Sequence, residues 1–175
     1  MKNKHEKVKQ AAAFAAAAHE GQTRRNGEPY YNHVARVATL VSEVTTEVDL
    51  ICAAFLHDTI EDCEVKQADL EAVFGQHVAQ LVAELTSDEL LQKALGKEAY
   101  MIKKFHAISA EAALVKLCDT LNNMSETEKE KQATTYAKIQ ERLQKDPPPY
   151  WSVIHQRLSK QILATFEQKL GTFTN

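Results

Sequence analysis

The segment FLHDTIED, Phe55–Asp62, contains the residues best suited to chemistry, because four ionisable side chains follow an apolar run within six residues. They are His57, Asp58, Glu61 and Asp62. On a helix, residues four apart share a face, which pairs His57 with Glu61 and Asp58 with Asp62. Imidazole and carboxylate together form a ligand set suited to a divalent transition metal. The segment therefore predicts a metal site near the end of a helix.

Two ligands are too few for such an ion, and two further residues are candidates. His33 follows the residues PYYN at the start of a helical segment, and Asp119 lies in the otherwise apolar segment LVKLCDTLNNM. An ionised Asp in such a helix is costly unless it is paired or bound to a metal. Structural explanations compete with this one, since a lone His at a helix start is usually a cap or surface residue. A lone Asp often lies on the wet face of its helix, so spacing alone leaves both explanations open.

The loop GQTRRNGE, residues 21–28, is a second candidate for ligand contact, because Arg24 and Arg25 stand together between two glycines. Guanidinium groups offer planar, forked donors to phosphate and also stack on purine faces. The alternative is a solvated basic turn. Taken by itself, the loop is compatible with either.

Helices must position these residues, because apolar residues recur at intervals of three and four along most of the chain. We expect Asp49 to cap the helix that runs through FLHD toward Glu61, and Ser109 to cap a later helix. The predicted helices cover roughly residues 4–20, 33–44, 49–61, 67–74, 76–85, 97–107, 109–126, 128–145 and 150–170, with 86–96 less defined. The fold class is all-α, in one domain over 1–175 whose core spans about 8–124 and whose C-terminal helices, 128–170, pack on it.

Some residues are assigned to packing alone. Phe55 and Ile60 are predicted core residues, together with Leu and Val positions of the same helices. The other histidines His19, His77 and His106 show no pattern of partners and receive no role.

Composition excludes several classes of protein. The net charge of −3 and the lack of long basic runs argue against general nucleic-acid binding. No apolar stretch reaches 18 residues, and Ala11–Ala18 lacks a following cleavage site, so neither a membrane span nor a signal peptide is expected. The three cysteines are odd in number and lack CxxC spacing, which predicts a reduced, cytoplasmic protein.

Several long motifs, in order, resemble one known family. The doublet HD is the signature of the HD-domain metal-dependent phosphohydrolases. The segments AAAAHEGQTRRNGEPYYNHVARVA, AAFLHDTIEDCEV, FGQHVAQLVAELT and LVKLCDTLNNM resemble the hydrolase domain of the RelA/SpoT alarmone enzymes, especially its stand-alone small form, the metazoan SpoT homologue. The resemblance spans roughly residues 8–124. It implies a hydrolase without a synthetase domain, acting in alarmone degradation and the stringent response.

The resemblance also implies roles for the candidate residues. Glu61 and Asp62 match the catalytic acidic pair, and four residues match the ligands of one divalent ion, usually manganese (Mn²⁺): His33, His57, Asp58 and Asp119. The residues that match the nucleotide-binding region are Arg24, Arg25, Tyr31 and Asn123. The implied reaction is hydrolysis of (p)ppGpp to GDP or GTP and pyrophosphate. The implied partner is a nucleotide substrate, and a homo-oligomer is compatible with the sequence but is not indicated by it.

Two residues depart from the family pattern. Val34 stands where the family usually has Pro, which is simply a favoured first helical residue. Thr120 stands where the family usually has a basic residue, and it cannot replace that charge. Lys97, Lys103, Lys104 or Lys116 are candidates to compensate. The alternatives are therefore an HD-type phosphohydrolase acting on another nucleotide, such as (p)ppApp or NADPH, and a non-catalytic nucleotide-binding HD module.

Overall fold

The computed structural model describes the backbone of residues 2–173, and it contains helices and one isolated β-bridge between Thr23 and Pro29. The helices of this part of the chain are α1 Lys2–Ala18, α2 Tyr30–Val44, α3 Val48–Leu56, α4 Thr59–Asp62, α5 Gln67–Phe74, α6 Gln76–Leu85, α7 Glu89–Leu95, α8 Lys97–Ala107, α9 Ala110–Glu126, α10 Glu130–Lys145 and α11 Val153–Phe173. The predicted all-α class is confirmed. None of these helices is both long enough and apolar enough to cross a membrane.

The contacts divide the chain into two compact units, an N-terminal unit of residues 1–87 and a C-terminal unit of residues 88–175. In the N-terminal unit, α3 packs against α1, α2 and α6, and α5 packs against α6. Helix α3 suits this central place because Cys52, Ala53 and Ala54 are small and fully buried, which lets neighbouring helices approach closely. Helix α2 contributes the buried stripe Val34, Val37, Ala38 and Val41 at helical spacing.

In the C-terminal unit, α11 packs against α9 and α10, and α8 packs against α7 and α10. Helix α9 begins as expected, because the Ser109 hydroxyl accepts a hydrogen bond from the backbone N–H of Ala112. The imidazole of His155 accepts a hydrogen bond from the backbone N–H of Ser152 and bonds through Nε2 to the Ala110 carbonyl. This histidine therefore joins the start of α11 to the start of α9.

Several local predictions are wrong. Asp49 is not a cap, since Glu47 precedes α3, and Asp49 instead bonds the Lys7 ammonium at 2.6 Å and His77 Nδ1 at 3.2 Å. The helix does not continue through FLHD, because α3 ends at Leu56 and a separate turn of helix, α4, begins at Thr59. Helix α2 starts three residues earlier than expected, and α11 starts three residues later. Phe55 and Ile60 are only partly buried.

Candidate metal centre

His57 occupies the turn between α3 and α4, and only 1% of it is exposed. Its Nδ1 lies 2.8 Å from the carbonyl oxygen of Ala54. Because a carbonyl can only accept, Nδ1 carries the ring hydrogen, and the other nitrogen, Nε2, is left with a lone pair. A backbone carbonyl that fixes the tautomer in this way is the usual support of a metal-binding histidine.

The His57 lone pair faces other ligand-type atoms. Its Nε2 lies 3.0 Å from Asp58 Oδ2, and His33 Nε2 lies 3.7 Å from the same oxygen. One ligand atom from each of these three residues lies within 4.8 Å of the other two. Electron-pair donors that converge at such distances are stabilised by a cation between them, and bonds of about 2.0–2.2 Å to one ion suit this spacing. The cluster of His33, His57 and Asp58, called here the HHD cluster, therefore fits a divalent metal.

Tyr30, the first residue of α2, connects the HHD cluster to the acidic pair of α4. Its hydroxyl lies 2.7 Å from Asp58 Oδ2 and 3.0 Å from Asp62 Oδ2. Burial and the charges of these two carboxylates raise the pKa of the phenol, which remains protonated and donates. The sequence pointed to the adjacent Tyr31 for nucleotide contact and gave Tyr30 no role. The adjacent tyrosines are not distinguishable by type, and only the start of α2 decides which one faces the carboxylates.

The two acidic residues of α4 have different partners. Burial, and next the charge of Asp58, raise the pKa of the Asp62 carboxyl. The carboxylate of Glu61 accepts a hydrogen bond from the backbone N–H of Ser87 at 2.7 Å, at the end of the N-terminal unit. Asp62 is also linked to the loop that follows α1, because the Gln22 amide donates to its backbone carbonyl at 2.9 Å.

The basic loop is a tight hairpin. The backbone N–H of Arg24 bonds the Glu28 carbonyl at 2.8 Å, and the N–H of Gly27 bonds the Arg24 carbonyl at 2.9 Å. Gly27 has φ +85°, the left-handed conformation that closes a turn of this kind. Arg36 of α2 donates to the Glu28 carboxylate at 2.8 Å, and this bond lowers the pKa of Glu28 and anchors the hairpin.

The hairpin separates the two arginines. The Arg24 guanidinium lies 5.8 Å from the centroid of the Tyr30 ring, whereas Arg25 is exposed at the turn. His19 stacks on the same ring, with centroids 4.7 Å apart and planes at 23°. The sequence pattern indicated no partner for His19, and the structure gives it this ring. The pattern also indicated none for His77, which bonds Asp49. The sequence contains no signal for the His19 stack, because the two rings meet only when the hairpin brings α1 and α2 together.

Asp119 belongs to the C-terminal unit, where its side chain is 9% exposed. Its Oδ2 lies 3.0 Å from the Lys116 ammonium, and its Oδ1 accepts a hydrogen bond of 2.6 Å from the Asn123 amide. Thr120 directs its hydroxyl to the Lys116 carbonyl at 2.8 Å. Within this unit, Asp119 is therefore a buried carboxylate supported by an ammonium and an amide.

Comparisons with known proteins point to one family. A family model described as HD domain matches residues 11–145, which is more than half of the chain. The guanosine-3′,5′-bis(diphosphate) 3′-pyrophosphohydrolase of Vibrio cholerae is 39% identical over 124 residues, 68% of this chain and 18% of that protein. The chain thus spans about a fifth of the length of this relative.

Shorter relatives match as well. The enzyme of the same name from Danio rerio, MESH1, is 41% identical over 116 residues, 63% of each chain. The solved structure of a metazoan orthologue of SpoT, described as hydrolysing ppGpp, superposes with a TM-score of 0.62 at 28% identity. That match covers 95% of this chain and 93% of the other. The likeness therefore extends over nearly the whole chain.

Proposed function

This chain belongs to the HD-domain family, and from that premise we propose that it hydrolyses the 3′-diphosphate of guanosine (p)ppGpp, which yields GDP or GTP and pyrophosphate. The observation that carries the proposal is the HHD cluster, whose two histidines are buried and whose Asp58 is hydrogen-bonded through Tyr30 to Asp62 of α4. Relatives 39% and 41% identical to this chain are named as pyrophosphohydrolases of this nucleotide.

We propose that the ion is Mn²⁺, held by the HHD cluster with Asp119 as a fourth ligand. Mixed imidazole and carboxylate sets accept several divalent metals, and the resemblance to the alarmone hydrolases favours Mn²⁺. When bound, such an ion activates water near neutral pH and offsets the charge of the phosphoryl oxygens.

The acidic pair is proposed to move protons. In the reaction, the oxygen of water bonds to phosphorus, the bond from phosphorus to the 3′-oxygen breaks, and that oxygen leaves as a hydroxyl. One of Glu61 and Asp62 would take the proton from water and the other would deliver one to the 3′-oxygen. The raised pKa of Asp62 suits a pair in which one member holds a proton.

The proposed substrate contacts rest on the chemistry of the side chains and on their positions in the motifs. Arg24 lies over an aromatic ring, where a guanidinium is pre-oriented for a phosphate or a purine, and Arg25 extends from the turn as a second cation. Asn123 and Tyr31 are proposed to contact the nucleotide by their position in the motifs.

Lys116 is the cation that we propose compensates for Thr120. Its ammonium lies 3.0 Å from Asp119, the residue that precedes Thr120, and its side chain is 13% exposed. Lys97 instead lies over the Tyr136 ring at 4.8 Å, and Lys104 lies 5.8 Å from the Tyr100 ring. Lys116 is thus the candidate lysine that forms an ion pair with the residue next to Thr120.

Residues 1–175 are proposed to form one functional domain in a reducing cytoplasm. The family match runs through both compact units, and none of the three cysteines, all within the described residues, forms a disulfide.

Turnover of separate nucleotides tests the function. The Mn²⁺-loaded protein is incubated with ppGpp, ppApp or NADPH, and release of pyrophosphate and phosphate is measured. The expected result is pyrophosphate from ppGpp that disappears in the variant His57→Ala, Asp58→Ala. A matched control, His77→Ala, Asp49→Ala, removes a second His–Asp pair of the N-terminal unit and retains turnover.

Other outcomes select the alternatives. Release from ppApp or NADPH with none from ppGpp would assign a different nucleotide and would identify Thr120 as a change of specificity. Absence of release from all three, with Mn²⁺ bound, would overturn the proposal in favour of a nucleotide-binding module.

A further inference from the structure

We infer that Tyr30 is the positioning residue of the metal centre, because its hydroxyl holds the Asp58 ligand oxygen and the Asp62 carboxylate together. The inference deepens the proposed function and rests on it for the role of Asp62. The part that concerns Asp58 rests on the HHD cluster alone.

The hydroxyl acts on the ligand atom itself. Asp58 Oδ2 is the oxygen 3.0 Å from His57 Nε2 and 3.7 Å from His33 Nε2, and the Tyr30 hydroxyl lies 2.7 Å from it. The Asp58 side chain is 14% exposed, so part of its surface is open to water. A hydrogen bond to Oδ2 selects the carboxylate rotamer that directs this oxygen at the two histidines. Supports of this kind typically change metal affinity by about 10–100-fold.

The same hydroxyl also reaches the acidic pair. Asp62 Oδ2 lies 3.0 Å from it, and the backbone N–H of Asp62 bonds the Asp58 carbonyl at 2.8 Å. Two carboxylates one helical turn apart repel each other. The hydroxyl has one hydrogen, which points mainly to Asp58 Oδ2 at 2.7 Å and is shared with Asp62 Oδ2 at 3.0 Å. This shared hydrogen reduces the repulsion between the two carboxylates and fixes their separation. Loss of the hydroxyl would therefore disturb the ligand and the acidic residue together.

The ring is fixed by contacts on several sides. It stacks on His19 at 4.7 Å and meets the His33 ring edge-on at 5.6 Å and 79°. The backbone N–H of Tyr30 bonds the Gln22 carbonyl at 2.9 Å, which sets the start of α2 against the hairpin. A ring held this way delivers its hydroxyl to one place, which is the requirement for a positioning residue. The Arg24 guanidinium, 5.8 Å from the centroid, ties the basic hairpin to the same ring.

Tyr30→Phe tests the inference, because it removes the hydroxyl and keeps the ring. Tyr31→Phe is the matched control on the adjacent residue. The primary readout is the affinity for Mn²⁺ alone, measured by electron paramagnetic resonance of the free ion in the absence of nucleotide. We expect Tyr30→Phe to weaken Mn²⁺ binding about 10–100-fold and Tyr31→Phe to leave it unchanged.

Thermal unfolding with Mn²⁺ and with EDTA distinguishes a positioning role of the Tyr30 hydroxyl from a purely structural one. Positioning predicts that the rise in Tm caused by Mn²⁺ shrinks in Tyr30→Phe, since this rise follows the affinity of the folded state. A merely structural hydroxyl would lower both Tm values equally and leave the difference intact, which would overturn the inference. Unchanged Mn²⁺ affinity would overturn it as well.

Kinetics with ppGpp test whether Tyr30 also positions Asp62. Positioning predicts a lower kcat for Tyr30→Phe with KM nearly unchanged, whereas a higher KM with normal kcat would make Tyr30 a substrate contact and overturn it. If the wild-type protein does not hydrolyse ppGpp, the proposed function fails, and the Mn²⁺ affinities still decide whether Tyr30 positions Asp58.

Discussion

Asp58 and Asp119, one in each compact unit, are surrounded in different ways. Asp58 faces two imidazole nitrogens and a tyrosine hydroxyl, at 3.0, 3.7 and 2.7 Å. Asp119 faces the ammonium of Lys116 at 3.0 Å and the amide of Asn123 at 2.6 Å. The first carboxylate lies beside two imidazoles and a phenol, and the second lies beside an ammonium and an amide. The two aspartates predicted to bind metal are therefore accommodated differently. Asp58 lies where other metal-ligand atoms converge, and the charge of Asp119 is balanced by a neighbouring ammonium.

This difference has a consequence for stability. In the N-terminal unit, the converging donors of the HHD cluster gain most from a bound cation. In the C-terminal unit, Lys116 already provides a positive charge to Asp119, so the folded state holds this carboxylate without an ion. Removal of the Asp58 charge should thus mainly lower metal affinity, and removal of the Lys116 charge should mainly lower the free energy of unfolding in the absence of metal.

The largest effect is expected from Asp58→Asn. The substitution keeps the shape of the side chain and removes the charge at the centre of the HHD cluster, so Mn²⁺ affinity should fall by at least about 100-fold, beyond the effect of a supporting residue. Titration calorimetry of the EDTA-stripped protein measures it. Asp49→Asn is the control, because Asp49 pairs with Lys7 in the same unit and should retain full affinity. Equal affinities of wild type and Asp58→Asn would refute the metal centre.

Lys116→Met should reduce stability through the C-terminal unit. It leaves a buried Asp119 without its ammonium, which should lower the free energy of unfolding in EDTA by about 3 kcal/mol. The double variant Lys116→Met, Asp119→Asn should recover most of this loss, because no buried charge then remains. Urea unfolding of Lys116→Met, Asp119→Asn and the double variant gives the coupling energy between the two residues. Strictly additive effects would argue against charge balance at Asp119.

A smaller effect is expected from pH. Burial lowers the pKa of His155 below its ordinary value of 6.5, so its contribution to stability is present above pH 6.5 and is lost as the pH falls through the folded pKa. His155→Gln keeps a donor for the Ala110 carbonyl, should cost about 1 kcal/mol at pH 8, and should flatten the decline below pH 6.5.

The control for this pH profile is Glu28 in the N-terminal unit. The hydrogen bond from Arg36, and next the one from Asn26, lower its pKa below 4.5. Its contribution is present above pH 4.5 and is lost as the pH falls through that lower folded pKa, so Glu28→Gln should leave the profile between pH 8 and 5 nearly unaltered. Urea unfolding at each pH is the measurement. An identical decline in wild type and His155→Gln would exclude His155 as its source.

Local patterns in the sequence predict the helical class and the bounds of α5, α6 and α8, since apolar periodicity and flanking glycines are local properties. They also predict that His57, Asp58, Glu61 and Asp62 lie close together, because they are near neighbours along the chain. The family resemblance supplied His33 and Asp119, which spacing alone left open.

The contacts between distant atoms depend on the packing of the helices. Helix α3 ends just before His57, so that the Ala54 carbonyl bonds Nδ1 of this histidine and its Nε2 faces Asp58. The packing also sets the Tyr30 hydroxyl against Asp58 and stacks His19 on the Tyr30 ring. These contacts depend on where α2 starts and on how the hairpin joins α1 to α2. No local pattern encodes them, because partners such as Tyr30 and Asp58 are 28 residues apart in the chain and meet only through packing.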